Sequence, residues 1–393
     1  MRRPAARYGF QIDGYLELQG WHVLDLAGVP FAEVPACPSD GVPLKILCRL
    51  TSRRDQVAVR IGCCPECGHI TYIDRPTRDW MYQYYLDTWD AAAERGTPEG
   101  RTAVLEKLAS PYGATERADV RLARGLRLDR SAPVCEIGCG FGGSLRQLAA
   151  SGFTRLVGIE ASRHRADIAR AGGFDVLTTP FEAPETRDAL HTRGPFALIL
   201  TFQTLEHTYH PDAVFAAASA LQEPGGHLIV SVPNQEGEPS MGVLLFLPHL
   251  HSFTATSLAR LGARHGYDVA DARANTAKTL NMVFRRAERP APVAPAPEAY
   301  ARALEKIVSG LDLDRLHIGR RRLWWSRRRD LAGQVWAGPP ARWGRWNWKR
   351  FVDREQIDKP RSVLISSLRA GAVAVNDSPV EIQYRNRTAL FFK

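Results

Sequence analysis

SAPVCEIGCGFGGSLRQLAASGFTRLVGIEAS, Ser131 to Ser162, is the stretch from which the fold of this 393-residue chain can be read. Val134, Cys135 and Ile137 make a short apolar run that predicts a strand. Gly138, Gly140, Gly142 and Gly143 follow as a turn, and the amphipathic segment from Ser144 to Ala150 predicts a helix. A second apolar run, Leu156 to Ile159, ends at Glu160. Strand, glycine turn, helix, strand and acid open an α/β nucleotide-binding unit.

Each part has a physical reason. Glycines let the backbone turn sharply and come close to a ligand, since no Cβ intervenes. Loop N–H groups and the helix N-terminus then sit beside that ligand. Glu160, at the tip of the second strand, offers a carboxylate to both hydroxyls of a ribose. Gly138, Gly140 and Gly143 also satisfy the dinucleotide fingerprint, so an NAD-dependent enzyme competes. Glu136, two positions before the first glycine, argues against it. A pyrophosphate should avoid a carboxylate there, whereas a ligand carrying an ammonium group should welcome one.

At Glu136-x-Gly138-x-Gly140-x-Gly142 the chain resembles the class I S-adenosylmethionine-dependent methyltransferases, and the likeness continues through IVSVPN over Pro133 to Arg286. The resemblance implies an α/β fold with a Rossmann-like seven-stranded methyltransferase sheet, and S-adenosylmethionine as cofactor. Continuous apolar runs fit such a sheet, covered by helices on both faces: Phe174 to Leu177, Phe196 to Thr201 and Leu228 to Val232. Val269 to Ala272 and Thr279 to Arg285 complete it.

Upstream, Cys37-Pro-Ser-Asp-Gly41 is echoed by Cys64-Pro-Glu-Cys-Gly68. The second phrase is a metal knuckle, two thiolates on a tight turn. In the first, Asp40 stands where a cysteine is expected, so Cys37, Asp40, Cys64 and Cys67 are the candidate ligands of a structural zinc ion. Cys63 or Cys48 is an alternative fourth ligand, a metal-free remnant knuckle is another reading, and a redox role lacks the thioredoxin-like helix it needs. The next segment, YIDRPTRDWMYQYYLDTWD, places Tyr82, Tyr84, Tyr85 and Trp89 at helical spacing. From the knuckle to this helix the chain resembles a methyltransferase subgroup with an N-terminal zinc-binding module, which includes sugar C-methyltransferases. In that subgroup a tyrosine of this helix reaches the cofactor; Tyr85 is the choice by position, and Tyr82 and Tyr84 fit nearly as well.

The same resemblance assigns further residues. Phe181, beside Glu182, occupies the loop that lines the adenine, where an aromatic ring can stack, although packing into the core is an equal reading. FQTLEHTYHPDA, residues 202–213, follows the fourth strand, and open parallel sheets bind ligands at that end. Gln203 can hydrogen-bond the methionine part of the cofactor. Glu206-His207 matches a Leu-Glu-His found here in many of these enzymes. Methyl transfer needs positioning and often removal of a proton, which imidazole suits near neutral pH. His207 is the candidate base, with Glu206 orienting it; capping or packing is the plain alternative. In LPHLHSFTATSL, residues 247–258, His251 is the candidate for lining the substrate pocket, and His249 with His251 also offers a metal pair.

The expected domains are residues 1–75 (strands and degenerate knuckle), 76–130 (helical connector), 131–287 (methyltransferase domain), 288–299 (Pro/Ala linker) and 300–393, a C-terminal α+β module. Between Arg315 and Arg354 twelve Lys or Arg face two acids, a balance of +10 that equals the formal charge of the whole chain. Six of the nine tryptophans fall between Trp324 and Trp348. Arginine stacked on indole in a surface layer, single-stranded nucleic acid, an anionic or nucleotide-linked small substrate and an acidic carrier protein all suit that stretch. A small anionic acceptor ranks ahead of RNA, because no RNA-binding module is recognisable; an RNA-modifying enzyme and a non-catalytic binding protein remain alternatives. MRRPAARYGF has no apolar h-region, the run Val243 to Leu247 is too short for a bilayer, and seven cysteines without an export signal fit a reducing compartment. A cytoplasmic protein with no membrane contact is expected. The oligomeric state is not legible.

Overall fold

A computed structural model of the chain describes residues 8–10, 22–24, 29–52, 58–88, 102, 115–181, 183–237, 248–303, 380–384 and 390–392. The Trp/Arg stretch at 315–354, Trp89 and Glu182 lie outside these residues, as does the Cys48 side chain. The chain divides into two compact units: residues 1–27, 46–60 and 304–393, and residues 28–45 and 61–303.

In the first unit, Tyr8–Phe10 and residues 48–52 each pair in parallel with Val380–Tyr384, and His22–Leu24 pairs antiparallel with Leu390–Phe392. In the second, seven strands form one sheet: β1 (Val134–Ile137), β2 (Leu156–Ile159), β3 (Asp175–Leu177), β4 (Phe196–Phe202), β5 (Gln222–Pro233), β6 (Tyr267–Asp271) and β7 (Thr279–Arg286). Their order is β3-β2-β1-β4-β5-β7-β6. The first five run parallel, and β7 is antiparallel to both β5 and β6. The strand order reverses between β1 and β4, and the carboxyl ends of these two strands open the crevice where such sheets take a ligand. The seven-stranded α/β fold expected from the sequence is the one observed.

Seven helices are used below: α1 (Arg78–Gln83), α2 (Ala118–Gly125), α3 (Gly143–Ala150), α4 (Arg163–Ala171), α5 (Pro184–His191), α6 (Pro211–Ala220) and α7 (Ala255–Arg264). Ser162 caps α4 by accepting from the Arg165 N–H, and Thr254 with Ser257 forms a reciprocal capping box on α7. Strand side chains alternate between the two faces. Val134, Leu198 and Leu200 therefore pack with Val120 and Ala123 of α2, while Cys135, Ile137 and Ile199 pack with Leu190, Val214 and Leu258 on the other side. Burying both faces is why these strands read as unbroken apolar runs.

The division of the chain departs from the sequence expectation at two places. Residues 28–45 and 61–75 belong with the seven-stranded sheet's unit, not with residues 1–27. The knuckle turns are tied to α7: Thr254 Oγ1 donates to the Cys67 carbonyl at 2.7 Å, Arg264 donates to the Pro38 carbonyl at 2.9 Å, and Arg260 lies 3.3 Å from Asp40. The Pro/Ala segment at 288–299 also belongs to this unit. Its Ala296 N–H donates to the Glu66 carbonyl, and Ala299 is buried against Gly68, because small side chains allow a close approach to the knuckle.

Two glycines of the β1–α3 turn differ in what they tolerate. Gly138 (φ 71°) would drive a Cβ into the Thr204 side chain, whereas a Cβ at Gly140 (φ 55°) meets nothing within 4 Å. Gly140→Ala should cost only the left-handed backbone penalty, about 1–2 kcal/mol. Gly138→Ala adds a steric clash and should cost clearly more, read as a lower midpoint in urea unfolding. Equal midpoints for the two variants would contradict this packing.

Candidate active site

A cavity of about 750 Å³ opens at the carboxyl ends of β1, β2 and β4. Gly138 to Phe141 form its floor, Glu160 and Phe181 one wall, and Phe202, Gln203 and Thr204 another. Glu160 Oε2 accepts the Gly140 N–H at 2.8 Å and Oε1 accepts the Ser162 N–H at 2.8 Å. One carboxylate thus fixes the glycine turn and the start of α4 while still facing the cavity. Three more loop N–H groups are spent locally: those of Gly138 and Cys139 donate to the Ile159 carbonyl, and that of Gly142 to the Cys139 carbonyl. A pyrophosphate needs free donors from such a loop, and these four are already paired. Gln203 holds φ 51°, a conformation uncommon for a non-glycine residue.

Tyr85 enters from the π-helical turn Tyr84–Thr88 that extends α1. Its hydroxyl lies 3.0 Å from His207 Nδ1, and that nitrogen lies 2.9 Å from the Pro248 carbonyl. A carbonyl only accepts, so Nδ1 carries the proton and Nε2 the lone pair. Burial pushes the His207 pKa down to about 4, which keeps the ring neutral. Tyr82 also reaches the cavity, while Tyr84 turns into the core and stacks on Trp80. Glu206 is 1% exposed beside His207, and burial pushes its carboxyl up to about 8.

Three candidates take other places. Glu136 shares β1's face with Val134, so strand parity points it at α2 and α3 beneath the loop, away from the cavity wall. It is fully buried near Arg117, Asp119 and Ser144. Gly142 (φ 81°) makes the turn into α3 without lining the cavity. His251 lies on the short strand His251–Ser252, paired with Ile70–Thr71 and buried. Its Nδ1 meets His69 Nε2 at 3.0 Å, and it does not line the cavity. His249, two residues earlier, packs edge-to-face on His207 with centroids 4.6 Å apart.

Arg117 is the residue that sequence reasoning missed. It lines the cavity, its guanidinium 4.0 Å over the Phe202 ring and 3.6 Å from Asp119. One arginine within a charged run gives no local signal of this. At the knuckle, the four residues named from sequence do converge. Ligand atoms of Cys37, Asp40, Cys64 and Cys67 all lie within 4.8 Å of one another, with Cys37 and Cys67 sulfurs 3.7 Å apart. Cys63 is buried and its Sγ turns to the Cys64 carbonyl, outside that group.

Residues 112–272 match the family model described as "Methyltransferase domain". The chain carries a methyltransferase domain. Its match to the ubiquinone biosynthesis O-methyltransferase of Cupriavidus pinatubonensis (strain JMP 134 / LMG 1197) is 26% identical over 165 residues, 38% of this chain and 66% of that protein. The protein of the same name from Vibrio parahaemolyticus serotype O3:K6 is 27% identical over 104 residues, 26% of this chain and 44% of its own length. The chain thus spans less than two thirds of either relative. Among solved structures, magnesium protoporphyrin IX methyltransferase from Synechocystis PCC 6803 with bound SAH is 15% identical, with a TM-score of 0.40. That match covers 54% of this chain and all of the other. Among the described residues no helix is long and apolar enough to cross a membrane.

Burial also pushes the Glu136 carboxyl of the methyltransferase domain up to about 8, with Arg117 opposing the shift. The folded state therefore holds a proton that the unfolded chain releases above about 4.5. Stability from this group is complete below that pH and declines as pH rises toward 8. Glu136→Gln should flatten the decline by a few kcal/mol, on the order of the pKa difference between the states. Urea unfolding at pH 5 and pH 8 measures it, and an unchanged slope in the variant would place the titration elsewhere.

Proposed function

We propose that this chain is an S-adenosylmethionine-dependent methyltransferase acting on a small-molecule acceptor. The observation that carries the reading is Glu160. It sits at the tip of β2, holds the glycine turn, and keeps lone pairs toward the cavity for the two ribose hydroxyls. Phe181 offers an aromatic wall for the adenine. Gln203 and Arg117 take the methionine end, the guanidinium matching its carboxylate. Glu136 acts on this end only through the loop and Arg117, so the case against a dinucleotide rests on the loop's spent N–H groups.

The electrophile is a sulfonium methyl, already activated, so the chain's contribution is to place the acceptor and see its proton removed. Tyr82, Tyr85, Tyr209, Arg78 and His207 form the open wall beyond the cofactor's place. Tyr85 belongs with the acceptor-side pair Tyr85–His207 rather than with the cofactor alone. His207, neutral and with Nε2 unprotonated, is the residue through which the acceptor loses its proton. Arg165, on the same lining, offers a cation to an anionic acceptor such as a phosphorylated or nucleotide-linked sugar. The two relatives' names specify O-methyl transfer in ubiquinone biosynthesis, which supports a hydroxyl-bearing small molecule over RNA. An RNA grip would rest on residues 315–354, outside the described residues.

The knuckle supports a structural zinc ion. Thiolates of a tetrahedral zinc site with bonds of about 2.3 Å stand about 3.8 Å apart, and the Cys37–Cys67 spacing is 3.7 Å. Asp40 supplies the fourth donor, with Arg260 neutralising part of the excess negative charge.

Calorimetry with S-adenosylhomocysteine and with NAD tests the first reading. S-adenosylhomocysteine should bind and NAD should not. Glu160→Ala should weaken that binding about ten- to a hundredfold, from losing charged hydrogen bonds worth about 1.5–3 kcal/mol. NAD binding, or an unaffected Glu160→Ala, would refute it. For the knuckle, metal analysis of the purified chain should find zinc, and Cys64→Ser with Cys67→Ser should remove that equivalent and lower the melting temperature. Retention of the metal by the double variant would exclude these ligands.

A further inference from the structure

Glu206 lies on the 3₁₀ turn Leu205–His207, almost fully buried, and neither carboxylate oxygen meets a hydrogen-bond donor from another residue. Its own backbone N–H offsets only part of the desolvation cost of a carboxylate so placed. Two imidazoles stand beside it. His207 Nε2 is 3.9 Å from a Glu206 oxygen, and the His249 ring meets the His207 ring edge-to-face. One ligand atom from each of the three lies within 4.8 Å of the other two. These three groups are separate from the knuckle's thiol cluster and use a different donor chemistry.

We propose that Glu206, His207 and His249 hold a divalent transition-metal cation at the cavity wall, where it acidifies the acceptor's hydroxyl. The proposal rests on the reading of His207 as the residue that serves the acceptor's proton loss, and states how it does so. Three observations converge on it. The orphaned carboxylate gains the positive partner it lacks. His207 is already in the ligating tautomer, its Nδ1–H given to the Pro248 carbonyl, which is how a metal-bound imidazole is usually oriented. Two imidazoles and one carboxylate make a donor set for Zn²⁺, Mn²⁺, Fe²⁺ or Co²⁺, with positions left open for a substrate oxygen. Ligand atoms around such an ion, at about 2.0–2.2 Å from it, sit about 3–4 Å apart. The 3.9 Å pair already meets that spacing, and all three atoms lie within 4.8 Å of one another, a spread that a small side-chain rotation closes.

The chemistry balances simply. The acceptor's O–H, drawn to the cation, releases its proton to water at the cavity mouth. Its oxygen lone pair then forms the C–O bond to the sulfonium methyl as the S–C bond breaks, and the bond pair stays on sulfur as a neutral thioether. His207 thus acts through the cation it ligates instead of carrying the proton itself.

The test uses the full chain, stripped by chelation and titrated with Co²⁺. Thiolate-to-cobalt charge transfer in the near ultraviolet reports the knuckle. The proposed site should appear as a further equivalent without that band, seen by calorimetry and by visible d–d absorption. Glu206→Gln and His249→Ala should each lose this second equivalent, keep the thiolate band, and still bind S-adenosylhomocysteine, which shows that the fold is intact. A wild-type chain that binds no cobalt beyond the thiolate equivalent overturns the proposal. So do variants that keep the second equivalent. Failure of S-adenosylhomocysteine to bind the wild type would instead bring down the methyltransferase reading beneath it, so the two failures are distinguishable.

Discussion

The pocket depends on one carboxylate gripping a turn. Glu160 accepts the Gly140 N–H on one oxygen and the Ser162 N–H on the other, so the end of β2 locks both the glycine turn after β1 and the start of α4. With the Gly138 and Cys139 N–H groups both on the Ile159 carbonyl, β2 effectively holds the whole turn. A loop closed in this way presents a shaped apolar floor and a carboxylate edge, and withholds four of its N–H donors from a phosphate. Ligand choice therefore follows from where backbone hydrogen bonds already go, more than from the charge of any one side chain.

This refines how the sequence should be read. The β1–turn–α3–β2 unit was legible because its information is local: apolar runs, glycines and a terminal acid within one stretch. The knuckle was legible for the same reason, since each half is a short phrase with its own turn, and Asp40 fell into place opposite Cys64 and Cys67. Glu136 needed one further step, the two-residue alternation of a strand. Its parity with Val134 sends it toward α2 and not toward the ligand. What was not legible is what distant segments bring together. Arg117 becomes part of the cavity only because α2 packs across the end of β1, and His251 leaves the pocket only because its strand pairs with Ile70–Thr71. The same pairing lets His249, two residues away, reach His207.

The division of the chain has a similar origin. Proline and alanine between Glu288 and Ala299 resemble a linker by composition, yet small side chains also permit close packing. Here the Ala296 N–H meets Glu66, and Ala299 covers Gly68. Composition limits which conformations are cheap; it does not say which neighbour will be there. The knuckle is accordingly a part of the same unit as the seven-stranded sheet, held to α7 by Thr254, Arg260 and Arg264.

That attachment reaches the cavity wall through a buried chain of polar contacts. Arg75 is 1% exposed, its guanidinium 5.0 Å over the Tyr209 ring and donating to the Tyr209 carbonyl at 2.9 Å. His251 Nε2 lies 3.4 Å from the same guanidinium, and His251 Nδ1 meets His69 Nε2 at 3.0 Å. Burial pushes His69 down to about 3 and His251 well below the usual range, so both rings stay neutral. His69 directly follows the Cys64–Gly68 turn, and Tyr209 lines the cavity two residues beyond His207. A geometry fixed at the knuckle is thereby carried, through one buried arginine and two neutral imidazoles, to the wall of the cavity that Tyr209 lines.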